Sequence, residues 1–222
     1  MISIIIPTKN EEQNILNTVS HLQKLRQDRY CEIILIDAMS NDKTVQLAKP
    51  YVDKIICSVP NRGIQQNKGA TIAKGEMILF LHADTQIDAK QIYMINEIPD
   101  DDSWGFFKIS FNNNALKYKL LSFFINLRSN LFNYATGDQA IFIKKKLFLK
   151  CNGFPDYEIM EDIKICSTLN RFVRPIRLDS YIITSCRRWQ NNGFIRTILR
   201  MRILRFLYFL KMKPSLLKTF YK

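Results

Sequence analysis

The fold class predicted for this 222-residue chain is α/β, with a Rossmann-like, mixed but mostly parallel sheet flanked by helices. Three observations predict it. Short apolar runs rich in Ile recur through the first half, helix-like stretches separate them, and each run ends in polar or charged residues. Near-continuous apolar runs mark strands covered on both faces, and their alternation with helices marks a parallel sheet.

The first run is Ile2-Ser3-Ile4-Ile5-Ile6. A helix is expected to start at Asn10, a good N-cap, with Glu11 and Glu12 at the positive end of its dipole and Ile15, Val19 and Leu22 on one face. His21 falls in that helix as a surface or filler residue. The second run is Glu32 to Ile36, the third Lys54 to Val59 and the fourth Met77 to Leu81. A second helix is expected from about Ile64 to Ala73, stopping at Gly75 as its C-cap.

Open α/β sheets bind ligands beyond the carboxyl ends of their strands. Here those ends carry Pro7-Thr8-Lys9-Asn10-Glu11, Asp37, Asn61-Arg62-Gly63 and His82-Ala83-Asp84. No Gly-x-Gly-x-x-Gly follows the first strand and no Gly-Lys-Ser/Thr loop occurs, so dinucleotide dehydrogenases and P-loop enzymes are disfavoured. A divalent cation together with Arg62 would serve a phosphate instead.

Composition bounds the rest. The hydrophobic fraction of 47% suits a globular domain. Five widely spaced cysteines without a Cys-x-x-Cys argue against zinc or a disulfide framework and for a reducing compartment. Met1 leads directly into a strand-like run, and no apolar run reaches membrane-spanning length, so the expectation is a cytoplasmic protein. The net charge of +13 favours anionic partners. Residues 187–222 contain no Asp or Glu, and Phe194 to Met212 reads as an apolar, basic helix. On a helical wheel Arg196, Arg200 and Lys211 cluster, while Arg202 and Arg205 point elsewhere. That tail reads as a helix packed on the domain, as an oligomer interface, or as a surface helix on an anionic membrane, the last ranked slightly ahead. It would then make the protein peripheral at the inner face of the cell membrane. Residues 115–132, with Lys117, Lys119 and Arg128, could join the same surface.

At these strand ends the chain resembles the family 2 glycosyltransferases, which have the nucleotide-sugar-binding GT-A fold. The resemblance rests on Ile4 to Glu12, on Asp37-x-x-Ser40-x-Asp42-x-Thr44, on Arg62-Gly63-x-Gln65-x-Asn67-x-Gly69-Ala70, and on Leu79-Phe80-Leu81-His82-Ala83-Asp84-Thr85. Gly137-Asp138-Gln139-Ala140, Gly153-Phe154-Pro155, Met160-Glu161-Asp162 and Arg187-Arg188-Trp189 extend it over most of the first 190 residues. It is sharpest toward a small bacterial subgroup with His-Ala-Asp in place of Asp-x-Asp. The resemblance implies a nucleotide pocket of Pro7, Thr8, Asn10, Glu11, Asp37, Arg62, Gly69 and Ala83. It implies Mg2+ or Mn2+ at Asp84 with His82 beside it, and Asp162 as general base with Glu161 adjacent. Asp138 would face the sugar or acceptor, and Gly137, Gln139, Arg188 and Trp189 would serve acceptor or phosphate. Residues 1–190 would form the catalytic domain, with a nucleotide half to residue 100 and an acceptor half from 101, and residues 191–222 the tail. The Gln-x-x-Arg-Trp of processive polymerases is incomplete here, since Arg188-Trp189 lack the Gln.

The implied reaction is inverting transfer from a nucleoside-diphosphate sugar to an acceptor that the sequence does not identify, because one base and no placed carboxylate nucleophile are visible. Blander readings stand beside these. Asp84 could end a turn, His82 could pack without touching metal, Glu161-Asp162 could cap the helix running to Phe172, and Trp189 could anchor the core. Asp100-Asp101-Asp102 reads as a solvated turn. The rival of a different class is a non-catalytic nucleotide-sugar or membrane-surface binding protein on the same fold. A nucleotidyltransferase suits the later motifs less well, and nucleic acid as partner does not fit acids aligned at strand ends.

Overall fold

Alternation within the Ile-rich runs decides which side chain enters which core. In the computed structural model, which describes residues 1–99 and 101–221, β1 (Ile2–Thr8) sends Ile2, Ile4 and Ile6 to one face and Ile5 to the other. In β2 (Cys31–Asp37), Ile33 and Leu35 oppose Ile34 and Ile36; in β4 (Met77–Phe80), Met77 and Leu79 oppose Ile78 and Phe80. Side chains on a strand alternate faces, so apolar residues at every position require cover on both sides. Asp100, first of the acidic triplet, and Lys222 lie outside the described residues.

The described residues form one eight-stranded sheet ordered β3-β2-β1-β4-β7-β6-β8-β5. β3 (Lys54–Cys57), β2, β1 and β4 run parallel. β7 (Ile141–Lys144) lies antiparallel between β4 and β6 (Trp104–Phe111). β8 (Ile176–Thr184) runs parallel to β6, and β5 (Thr85–Gln86) closes the edge antiparallel to β8. The mixed, mostly parallel sheet expected from the sequence is therefore present.

One face is covered by α1 (Ile15–Ser20), α2 (Gln23–Gln27), α3 (Thr44–Ala48), α5 (Ala89–Asn96) and α6 (Leu116–Phe132). The other carries α4 (Arg62–Ile72), α7 (Lys145–Lys150) and α8 (Glu161–Leu169). The chain ends in α9 (Arg187–Asn191), α10 (Phe194–Phe209) and α11 (Pro214–Thr219). Leu204 and Leu217 from the last two helices form a third apolar cluster with Ile159, Met160 and Ile163, the residues around the start of α8. The tail is thus packed on the segment that carries Glu161 and Asp162.

Several expected boundaries are corrected. The first helix begins at Ile15, not Asn10, whose φ of 54° is left-handed. Backbone there is committed to the loop after β2: Asn10 N–H donates to Ser40 Oγ at 2.9 Å and Glu11 N–H to Thr44 Oγ1 at 2.7 Å. α4 begins two residues earlier than expected because the Asn61 side chain accepts from Ile64 N–H at 3.1 Å, a side-chain N-cap. Gly75 is no C-cap, since Ala73 follows α4; a Cβ at Gly75 would lie 2.7 Å from Ser3 N, so the glycine permits the close approach of β1. β3 stops at Cys57, β4 at Phe80 and α8 at Leu169, each short of the expected end. The tail helix stops at Phe209, where Lys211 turns left-handed ahead of Pro214.

Candidate active-site cleft

The carboxyl ends of β1 and β4 open into a cleft of about 1210 Å3. Its floor and one wall come from Pro7, Thr8, Glu11, His82, Ala83 and Asp84; Arg62 enters from α4 and Glu161 and Asp162 from α8. The 3-10 turn Gly137–Gln139 contributes Gly137 and Asp138, and the loop and helix after β8 contribute Ser185, Arg187, Arg188 and Trp189. Two non-glycine residues with positive φ flank this region, Ala140 at 48° and Met160 at 65°. Such conformations are costly and persist only where packing over-determines them, and they collect at functional sites. Here Met160 is held by the third apolar cluster and turns the chain so that Glu161 and Asp162 open α8.

Asp162 is tied to the turn that faces it. Gly137 N–H donates to Asp162 Oδ2 at 3.0 Å, and Asp162 Oδ1 accepts from Ile163 N–H at 2.7 Å. Asp138 Oδ1 is buried without a partner among the described residues. Arg62 Nη1 lies 3.2 Å from Glu161 Oε1 and Arg187 Nη2 lies 2.8 Å from Glu11 Oε2.

Burial and crowding shift the protonation of these groups. Burial, then the carboxylates of Glu11 and Asp138, push Asp84 up to about 6 against the pull of Arg187 and Arg62. Burial pushes Glu161 up to about 7, opposed by Arg62. The surrounding carboxylates Glu161 and Asp162 raise Arg62 above its usual value despite desolvation, so it remains a cation. Burial, Arg62 and Arg188 hold His82 well below the usual imidazole range, which keeps it neutral. Its Nε2 has no hydrogen-bond partner among the described residues and faces Gly137 closely.

The structure brings thirteen of the residues singled out in the sequence to this cleft and places four elsewhere among the described residues. Asp37 is buried, accepting from Thr8 Oγ1 at 3.0 Å, Ser40 N–H at 2.8 Å and Ser40 Oγ at 2.6 Å; it shapes the loop under the cleft. Asn10 sits in the same loop network. Gly69 lets α4 press on β1, for a Cβ there would lie 2.4 Å from Ile5 Cγ2. Gln139 is buried, its Oε1 accepting from Ser129 Oγ at 2.8 Å and its Nε2 donating to Phe107 O at 3.2 Å. Trp189 both lines the cleft and packs edge-on to Phe111 with centroids 6.3 Å apart.

From the sequence, Arg128 falls with the candidate membrane surface and Arg205 only off the basic stripe of α10; in the structure both line the cleft. The available signal was that Arg202 and Arg205 leave the stripe formed by Arg196, Arg200 and Lys211. Among the described residues no three His, Cys, Asp or Glu side chains converge to hold a metal by themselves. Asp84 is a single carboxylate whose ionisation is opposed by Glu11 and Asp138, a repulsion that a cation would relieve. That donor set fits a Mg2+- or Mn2+-like ion shared with substrate phosphates, not one caged by protein.

The family model for glycosyl transferase family 2 matches residues 3–163. No curated protein matches the chain. Among solved structures, S. aureus TarS residues 1–349 superposes with a TM-score of 0.65 at 20% identity, covering 83% of this chain and 60% of that one. The same protein in complex with UDP-GlcNAc gives 0.65 at 21% identity over 83% and 58%. The mannosyltransferase PcManGT from Pyrobaculum calidifontis, in complex with GDP-Man and Mn2+, gives 0.67 at 16% identity over 93% and 61%. The chain thus spans about 60% of the length of these structures, and at such identities the likeness is one of fold.

Proposed function

This chain belongs to glycosyl transferase family 2, and from that premise we propose that it is a glycosyltransferase whose cleft performs inverting transfer from a nucleoside-diphosphate sugar. One observation carries the reading: Glu11, Asp84, Asp138 and Asp162 line one cleft at the carboxyl ends of β1 and β4, with Arg62 and Arg187 among them. UDP-GlcNAc and GDP-Man in the neighbouring structures support a uridine or guanosine diphosphate as leaving group.

In this reading Pro7, Thr8 and Glu11 border the nucleotide, with Asp37 and Asn10 acting from beneath by fixing the loop. Asp84 would hold a divalent cation on the diphosphate, and such an ion, when bound, offsets the charge that develops on the leaving group. Arg62 and Arg188 add charge-assisted contacts to the same oxygens. Asp162 takes the acceptor hydroxyl proton while the acceptor oxygen bonds to the anomeric carbon and the carbon–phosphate-oxygen bond breaks. Both Asp162 oxygens accept one backbone N–H, which fixes the carboxylate and leaves each oxygen a further lone pair for that proton. Neutral His82 supports the turn facing Asp162; as it carries no charge, it does not add to the phosphate-binding cations. The expected setting is the cytoplasm, at the inner face of the membrane.

The test is nucleotide release from a panel of UDP- and GDP-sugars with Mg2+ or Mn2+. Asp162→Asn should lower turnover by roughly 10²–10⁴-fold while nucleotide affinity is kept, and Asp84→Ala should weaken metal-dependent donor binding. Unchanged transfer in both variants overturns the assignment.

A further inference from the structure

Three cations of the cleft are paired with acids. Arg62 pairs with Glu161, Arg187 with Glu11, and Lys218 with Glu158. Arg188 lies over the Tyr221 ring at 4.9 Å. Arg128 and Arg205 are different. They come from α6 and α10, stand close enough to repel one another, and make no salt bridge among the described residues. Both Nε atoms are buried without a hydrogen-bond partner among the described residues. Arg128 is held in place from two sides, its guanidinium 5.0 Å over the Tyr134 ring and its Nη2 donating to Thr136 Oγ1 at 3.2 Å. Thr136 directly precedes Gly137 and Asp138, and Arg205 feels the carboxylates of both Asp138 and Asp162. The pair therefore stands on the base side of the cleft, while Glu11 and Asp84 lie at the strand ends.

Both side chains are half-buried, and placing two like charges side by side with their Nε donors withdrawn from water is unfavourable unless an anion completes the set. Two planar guanidinium forks suit a phosphate, whose three free oxygens and charge near −2 can take both. The wall beside them is apolar and open. Leu127, Leu131 and Phe132 of α6 and Phe206 and Phe209 of α10 line the cleft yet remain exposed, Phe132 at 65% and Phe206 at 63%. No acid occurs on α6 or after residue 187. A nucleotide sugar has no use for such a wall, but a long hydrocarbon chain does.

We propose that Arg128 and Arg205 form an acceptor subsite that grips the phosphate of a lipid monophosphate, whose chain leaves the cleft along the apolar faces of α6 and α10. This rests on the glycosyl-transfer reading and names its acceptor class. The phosphate, or a hydroxyl attached to the same lipid, would then lie beside Asp162.

The test titrates the full chain with decyl phosphate, decanol, inorganic phosphate and UDP or GDP. Decyl phosphate should bind at least tenfold tighter than either decanol or inorganic phosphate. Arg128→Met and Arg205→Met should each weaken decyl phosphate at least tenfold and leave nucleotide affinity within twofold, which also reports a folded chain. Arg205→Lys should fall between, since it keeps the charge and loses the fork. Arg196→Met, on the outer side of α10, should change nothing. Equal binding of decanol or inorganic phosphate overturns the proposal, as does an equal loss of nucleotide affinity in the Met variants, or an equal loss in Arg196→Met. Nucleotide binding without decyl phosphate binding sinks this inference alone; decyl phosphate binding without any nucleotide binding sinks the glycosyl-transfer reading alone.

Discussion

A Cβ placed on Gly137 would lie 2.4 Å from Nε2 of His82. The same glycine donates its N–H to Asp162 at 3.0 Å. The ring at the end of β4 thus sets the height of the turn, and the turn sets the proposed base. Gly137→Ala should overpack this contact and cost about 1–3 kcal/mol. Turnover should fall up to about 10²-fold, as expected when a reacting group is misplaced by an ångström. His82→Ala removes the obstructing ring, so the double variant Gly137→Ala/His82→Ala should be more stable than the sum of the singles by more than 0.5 kcal/mol, in the range seen for contacting residues. Additive melting data would show that the two residues do not meet.

Asp84 is held in a place that its charge dislikes. Its carboxyl is raised from 3.8 to about 6, chiefly by burial and then by Glu11 and Asp138. The folded state therefore binds a proton that the unfolded chain has released between those values. Stability from this group is greatest at low pH and declines as pH rises toward 6. Glu161, raised from 4.5 to about 7, acts in the same direction over the next interval. The ligand-free protein should melt higher near pH 5.5 than near pH 7.5 in scanning calorimetry, the opposite of ordinary acid denaturation. The acids Asp42 and Asp179, whose carboxyls are lowered, act only at more acidic pH; His82, held neutral in the fold, opposes the trend below its ordinary value of 6.5, one group against the two raised acids. Asp84→Asn should raise stability at pH 7.5 by up to about 3 kcal/mol, the free energy of a shift of this size, and abolish metal-dependent turnover. Mn2+ with a nucleoside diphosphate should flatten the pH dependence of the wild type. A variant melting below wild type at pH 7.5 would show that the charge is tolerated.

Much of this architecture was legible in the residues. Ile2 to Ile6 and Glu32 to Ile36 pack on both faces, so their apolar character needed no tertiary information to be understood. The strand ends were legible for the same reason, because topology sends Thr8, Arg62 and Asp84 to one edge. What could not be read was which polar groups serve the ligand and which serve the loop. Asp37 and Asn10 carry the same chemistry as Asp84 and Glu11, but three hydrogen bonds from Thr8 and Ser40 draw Asp37 into the scaffold. Gly69 and Gly75 look like loop or cap glycines in one dimension, yet each makes room for β1. Arg128 and Arg205 lie far apart in the chain, and only the docking of α10 beside α6 makes them neighbours.

That docking gives the last prediction. Leu204 and Leu217 are buried, at 1% and 0% exposure, against Ile159, Met160 and Ile163. Met160 holds the left-handed turn that starts α8, and Asp162 follows two residues later. Leu204→Ala should leave a cavity costing about 2–5 kcal/mol. The loss falls on the third cluster, while the two clusters that sandwich the sheet retain their contacts. Nucleotide affinity, which depends on β1 and β4, should therefore stay within about threefold. Turnover should fall at least tenfold, because both Asp162 and Arg205 lose the packing that sets them. The tail should also become the first site of limited proteolysis, since local opening follows local stability. Equal losses of nucleotide affinity and turnover would show instead that the sheet depends on the tail as a whole.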